Sequence, residues 1–139
     1  MSYRFSAALQ AAVYRQLIAD PEISELVGDA IYDAPPEPAA ATLLNHVTLG
    51  EERVRPFDTM TSQGSVHDFT VSVHSGQDGF DGAKRVAGAV CAALVDAPLA
   101  LEHGRLVATR FLRARAERGA SPEKRRITMM FRAVVDQDD

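Results

Sequence analysis

The stretch Lys124–Val135 alternates so regularly that it dictates its own conformation. Ile127, Met129, Phe131, Ala133 and Val135 fall on one side of an extended chain, and Lys124, Arg126, Thr128 and Arg132 on the other. Successive side chains of a strand point to opposite faces, so this segment predicts a strand with one apolar and one polar face. Three more segments read the same way. In Leu43–Gly50 the apolar set is Leu43, Val47 and Leu49, interrupted by Asn45. In Val66–Ser75, Phe69, Val71 and Val73 oppose Asp68, Thr70, Ser72 and His74. Arg105–Arg118 is long and less regular, as a bulged strand would be, and Gly119-Ala120-Ser121-Pro122 has the residues of a hairpin turn to Lys124.

Such a sheet needs an apolar cover on one face, and two helices offer it. Phe5, Leu9, Val13 and Leu17 recur every four residues, with Ala8 and Ala12 beside them, and predict a helix over 3–19. Asp20-Pro21-Glu22 reads as an N-cap followed by proline in the first turn, opening a short helix over 21–27 that Gly28 stops. Ala30-Ile31-Tyr32 is a candidate short strand, leading into the stiff spacer Pro35-Pro36-Glu37-Pro38. The second long helix, over 80–95, has Asp78 as its cap and Phe80, Ala83, Ala87, Val90 and Leu94 as its stripe. Asp96-Ala97-Pro98 ends it. The expected fold is α+β: a mostly antiparallel sheet with two long helices on one face, in the order α-α-β-β-β-α-β-β. It forms one domain over 1–139. The 15 residues from Glu51 to Ser65 keep no period and are expected as a long loop after the first main strand. Connections that long are usually functional. Its charged start (Glu51, Glu52, Arg53, Arg55) and its apolar Phe57 and Met60 make it a candidate contact with a partner.

Chemistry is hard to find. His67 and His74 lie seven apart on a strand and so point to opposite faces, and His46 and His103 have no ligand-like spacing to either. Cys91, the single cysteine, sits beside a helix stripe and reads as a packed thiol. Gly76-Gln77-Asp78-Gly79-Phe80 lacks the glycines and lysine of a phosphate loop. No catalytic, metal or cofactor residues are nominated, and the expectation is a protein that is not an enzyme. No apolar run approaches the about 20 residues of a membrane span. The lone cysteine and the lack of a signal-peptide core suggest folding in the cytoplasm.

Charge is the strongest anomaly. The net charge is −4, yet residues 105–135 alone carry +7, residues 1–104 carry −8 and the last four carry −3. The basic hairpin centres on Arg110, Arg113, Arg115, Arg118, Lys124 and Arg126. Three readings fit it. Arginine stems can cover a solvated sheet face, clustered arginine can bind nucleic acid, or the hairpin can meet an acidic protein surface. The remainder of the chain supplies such a surface, and a head-to-tail contact of that kind closes rings.

The order of short motifs also carries a resemblance. It begins with Ala8-Leu9-Gln10-Ala11-Ala12-Val13-Tyr14 and with Leu26-Val27-Gly28-Asp29-Ala30-Ile31-Tyr32-Asp33 followed by prolines. Leu49-Gly50-Glu51-Glu52 and His67–Ser75 continue it. Gly79-Phe80, Ala83–Ala87, Ala93-Leu94, Leu99 and Leu106-Val107 follow in order. Together they resemble the tail-terminator, or tail-completion (head–tail joining), proteins of long-tailed phages, and look most similar to the version in gene transfer agents. The sequence departs from that pattern at Leu43–Val47, where the family usually has a proline and an aromatic. The resemblance implies a structural subunit of a phage-like particle. Such proteins form a ring, generally a hexamer, on the head-proximal end of the tail tube and stop its polymerisation. Their partners would be further copies of the chain, the major tail tube protein and a head-side stopper or connector, with DNA passing through the bore. They would be made in the bacterial cytoplasm, and no membrane is involved. On that reading Glu51–Ser65 meets the tube or a neighbouring subunit, and the basic hairpin meets the next subunit. The alternatives are a head-side connector ring protein of the same particle and a small DNA-binding protein.

Overall fold

Asp20 opens the short helix as its sequence suggests. Its Oδ1 accepts from the Ile23 amide at 3.0 Å, Pro21 sits in the first turn, and Gly28 ends the helix with a φ of 64°. The computed structural model describes residues 3–33, 45–58, 63–76, 80–118 and 124–137. Within them the order is α1 (Ser6–Ala19), α2 (Pro21–Val27), β1 (Ile31–Tyr32), β2 (Asn45–Pro56), β3 (Gly64–Ser75), α3 (Asp81–Leu94), β4 (Arg105–Arg118) and β5 (Arg125–Asp136). Leu43, the spacer 35–38, Asp78, Met60 and the turn 119–122 lie outside the described residues.

The strands form one sheet in the order β1-β2-β3-β5-β4. β1 pairs with β2 in parallel and every other pair is antiparallel. β3 and β4 therefore run the same way with β5 inserted between them, and α3 links them as a split crossover. The free edges are the two-residue β1 and the fourteen-residue β4.

One sheet face carries the core. Val47, Phe69, Val71, Val73, Ile127, Met129, Phe131 and Ala133 join Leu9, Ala12, Val13 and Leu17 of α1, Ile23 of α2, and Ala83, Val86, Val90 and Leu94 of α3 in one apolar cluster. Phe131, fully buried, stacks on Phe69 at 5.7 Å and meets the edge of Phe111 at 5.9 Å. Burying a side chain of that size stabilises the fold by about 2–3 kcal/mol. The alanines of α3, with Ala83 and Ala89 almost wholly buried, let its backbone lie close to the strands.

The expected loop Glu51–Ser65 is corrected by the structure. Glu51 to Pro56 continue β2, and Gly64 and Ser65 begin β3. The connection shrinks to residues 57–63, closed by the Phe57 amide donating to the Gly64 carbonyl at 2.9 Å. Two physical causes hid the strand. The β2–β3 register shifts between Leu49 and Glu52, so residues three apart, not two, face the core side. Beyond that bulge, Val54 is flanked on the core side by polar groups, Glu52 on β2 and Ser65 and His67 on β3. Glu52 accepts from the Ser6 hydroxyl at 2.5 Å and lies 3.1 Å from His67 Nδ1, while His67 Nε2 lies 2.7 Å from Ser65 Oγ. A hydrogen-bonded row replaces apolar side chains there, which erases the alternation without exposing the backbone. The expected bulge in β4 is present twice, between Leu106 and Ala108 and between Phe111 and Arg113.

Candidate functional site

The face away from the helices is built by the register. Pairing aligns Arg53 with Asp68, Asp68 with Arg132 and Arg132 with Arg110 in one row across four strands. A second row runs His46, His74, Arg126, Glu117, and a third aligns Thr48, Ser72, Thr128 and Arg115. Arg55 and Arg113 flank the first row closely enough to act on Asp68. Basic residues thus outnumber the carboxylates, Asp68 and Glu117, that sit among them in these rows.

Asp68 is the anchor of the face. Arg132 donates to it through Nε at 2.8 Å and Nη2 at 2.9 Å, a bidentate pair. That hydrogen bonding first, then the charges of Arg132, Arg55 and Arg113, hold its carboxyl below the usual range. Arg126 donates to Glu117 at 2.8 Å and likewise lowers its pKa. Arg110, Arg113 and Arg118 are exposed and have no carboxylate within ion-pair distance among the described residues. Their charge is available to a partner.

Beside this patch lies a pair that sequence spacing did not reveal. His46 and His74 stack with ring centroids 4.6 Å apart, Tyr32 meets His46 edge-on at 5.9 Å, and Thr48 Oγ1 lies 3.0 Å from His74 Nε2. Burial, then His46, Arg126 and Lys124, push His74 down to about 4. Burial and Lys124 lower His46 as well. Both rings are therefore neutral near pH 7.

The nominated residues separate into two groups. Arg110, Arg113, Arg115 and Arg126 share the sheet face, and Lys124 acts on its histidines. Arg118 pairs with Arg125 at the strand end. Of the supposed loop, Arg53 and Arg55 join the basic face, while Glu52 turns to the core side beneath α1. Glu51 and Phe57 are exposed, and Met60 is outside the described residues.

The core-side row Ser65–His67–Glu52 has the connectivity of a nucleophile, base and orienting acid. Ser65 and His67 are nevertheless 0% exposed, so the hydroxyl cannot meet a substrate. The row is a satisfied polar pin between α1, β2 and β3. Among the described residues no group of three His, Cys, Asp or Glu could hold a metal ion, and no helix is long and apolar enough to cross a membrane.

The opposite end of the sheet holds a second surface that sequence reasoning missed. An open groove of about 760 Å³ lies between α1 and β1, lined by Tyr3, Tyr14 and Tyr32, the only tyrosines in the chain. The signal was present in α1: Ala7, Ala11, Tyr14 and Ile18 form a second apolar stripe, which a single core-facing helix does not need.

Among curated proteins none matches the chain. In the solved structure of the virion of a native gene transfer agent particle, one chain is 48% identical, with a TM-score of 0.88. The match covers 97% of this chain and 99% of that one. Residues 11–136 match the family described as tail completion protein gp17. With its sheet, its helices and nearly all of its length accounted for by these likenesses, the chain belongs to the tail completion protein gp17 family.

Proposed function

We propose that this chain is a structural, non-catalytic subunit at the head–tail junction of a phage-like particle. The observation that carries this reading is its likeness, at 48% identity over 97% of its length, to a chain of a gene transfer agent virion. The whole chain acts as one tail-terminator-like domain, made in the bacterial cytoplasm and incorporated into the particle. Copies form a ring, a hexamer by family resemblance, on the head-proximal end of the tail tube. The ring stops tube polymerisation and offers its other side to a head-side stopper, with DNA passing through the bore.

The geometry supports a division of labour. β2 ends and β3 begins at the sheet end where Gly64 and Arg105 both pair with Asp136, and β4 ends and β5 begins at the other, where Ser75 and Arg118 both pair with Arg125. The first end, with Arg55 and the half-exposed Phe57, contacts the tube or a neighbouring subunit. The arginine-bearing β4–β5 hairpin contacts the next copy in the ring.

Electron microscopy of tail tubes grown from the particle's tube protein, with and without this chain, tests the reading. The expected result is a ring at one tube end and no further growth there. Tubes left uncapped, with the chain free in solution, would sink it and turn attention to a connector role. A second reading is favoured by the basic sheet face, on which Arg53, Arg55, Arg110, Arg113 and Arg132 gather around one Asp68. It is binding to a polyanion such as duplex DNA, which would show an affinity falling steeply with salt.

A further inference from the structure

The two free edges of the sheet differ in charge and shape, and the difference is complementary. At the β1 edge the chain has no lysine or arginine between Arg15 and Arg53, whereas Asp20, Glu22, Glu25, Asp29 and Asp33 fall in that interval. Glu22, Glu25, Asp29 and Asp33 are exposed. Of these, Asp33 lines the tyrosine groove, with Arg4 as the other charged residue of its lining among the described residues, and Gln10 Nε2 donates to Asp33 Oδ1 at 2.7 Å across it. The surplus of negative charge at this edge comes from Glu22, Glu25 and Asp29. Tyr3 is 65% exposed, Tyr14 38% and Ile18 37%. At the β4 edge, Arg105, Arg110, Arg113, Arg115 and Arg118 are exposed against a single Glu117. Val107 and Phe111, each next to a register shift, are also open, at 52% and 44%.

We propose that the tyrosine groove at the β1 edge receives the arginine-bearing β4 edge of a second copy of this chain. The inference rests on the ring reading and adds to it the receiving surface. Four features point to a second copy as the occupant. The acidic and basic surfaces belong to one chain, so every copy carries both halves of the contact. They sit at opposite ends of the sheet order β1-β2-β3-β5-β4. That is the head-to-tail arrangement from which rotation closes a ring, whereas a two-fold contact would need one self-complementary patch. Tyrosine rings offer apolar area to Val107 and Phe111, and their faces attract guanidinium groups. Finally, no strand lies outside β4 among the described residues, and only its Thr109 carbonyl is capped there, by the Asp96 amide at 3.0 Å. Its arginines discourage indiscriminate strand pairing, so the edge suits one charge-matched partner.

The test uses two full-length variants with reversed charge, Arg110→Glu/Arg113→Glu and Asp29→Lys/Asp33→Lys. All four positions are exposed, and unchanged melting confirms that each variant folds. Ring formation is read by light scattering and by counting capped tubes. Each variant alone should cap roughly tenfold fewer tubes or less than that, since close charge pairs at an interface are replaced by repulsion. An equal mixture should restore rings in which the two variants alternate, because each reversed edge then meets a reversed groove and each native edge a native groove, always of opposite sign. Nonspecific damage cannot produce that rescue. Tyr14→Ser, which changes no charge, should weaken capping at every salt concentration, whereas the charge effects fade as salt rises. If wild-type chain caps tubes and the variants cap equally well, or their mixture stays unassembled, the groove assignment is wrong and the ring reading stands. If wild-type chain forms no ring on tubes, the ring reading falls and takes this inference with it.

Discussion

Acidification from about pH 7.5 to about pH 5 protonates an ordinary histidine, but it meets resistance at His74. In the folded chain its pKa drops from 6.5 to about 4, chiefly through burial and then through His46, Arg126 and Lys124. The unfolded chain takes up the proton near the ordinary value and the folded chain does not. Stability that is complete above that value is therefore lost as pH falls toward the folded pKa. A shift of this size corresponds to about 2 kcal/mol lost at about pH 5. His74 keeps some exposure, and solvent screening reduces the loss to about 1 kcal/mol. For a chain of this length that is a fall in Tm of about 3–5 °C. His74→Gln removes the titration and leaves a polar side chain beside Thr48. Its Tm should fall less than that of the wild type over the same interval, by this difference, in scanning calorimetry at matched ionic strength. His46, lowered in the same direction, leaves a smaller residual pH dependence in the variant. Equal losses of Tm in the two proteins would refute the assignment of the acid sensitivity to the stacked pair.

Phe131→Ala should cost about 3–5 kcal/mol in urea unfolding, because the ring is fully buried between Phe69 and Phe111. Glu52→Ala removes the acceptor of Ser6 and the partner of His67. It should cost about 1–3 kcal/mol, with Glu52→Gln less harmful because an amide oxygen can still accept. Gly64→Ala should destabilise by about 1–3 kcal/mol, since a Cβ there would lie 2.6 Å from the Val135 carbonyl oxygen. A variant melting like the wild type would show that the β3–β5 pairing yields at that point.

How legible each element was depended on whether its pattern was apolar. The stripes of α1 and α3 and the alternation of β5 could be read directly, because their inward residues are hydrophobic at regular spacing. The second half of β2 could not, since its inward positions hold Glu52 opposite Phe69 and, beyond it, Val54 opposite His67, after a register shift at Gly50–Glu51. Sequence periodicity detects burial of carbon, and this part of the sheet is covered through hydrogen bonds. The arginines were visible as a cluster in β4 and β5. That Arg53 and Arg55 join them was not, because only the pairing of β2 with β3 brings those residues to the same face. The tyrosine groove joins positions 3, 14 and 32, and no local window contains all three.

The insertion of β5 between β3 and β4 has a kinetic consequence. β2–β3 and β4–β5 are each adjacent in sequence and paired, and can form as local hairpins, on a timescale of about 1–10 μs. The twelve-residue seam between β3 and β5 joins residues as far apart as Gly64 and Asp136, and it closes only when the two hairpins meet with α3 laid across them. Loop-closure entropy is spent before that seam contributes any energy, so its docking should set the folding rate, in the range of milliseconds to seconds. Until it closes, each hairpin exposes an unpaired inner edge. Newly made chains at high concentration are then open to exchanging hairpins with one another.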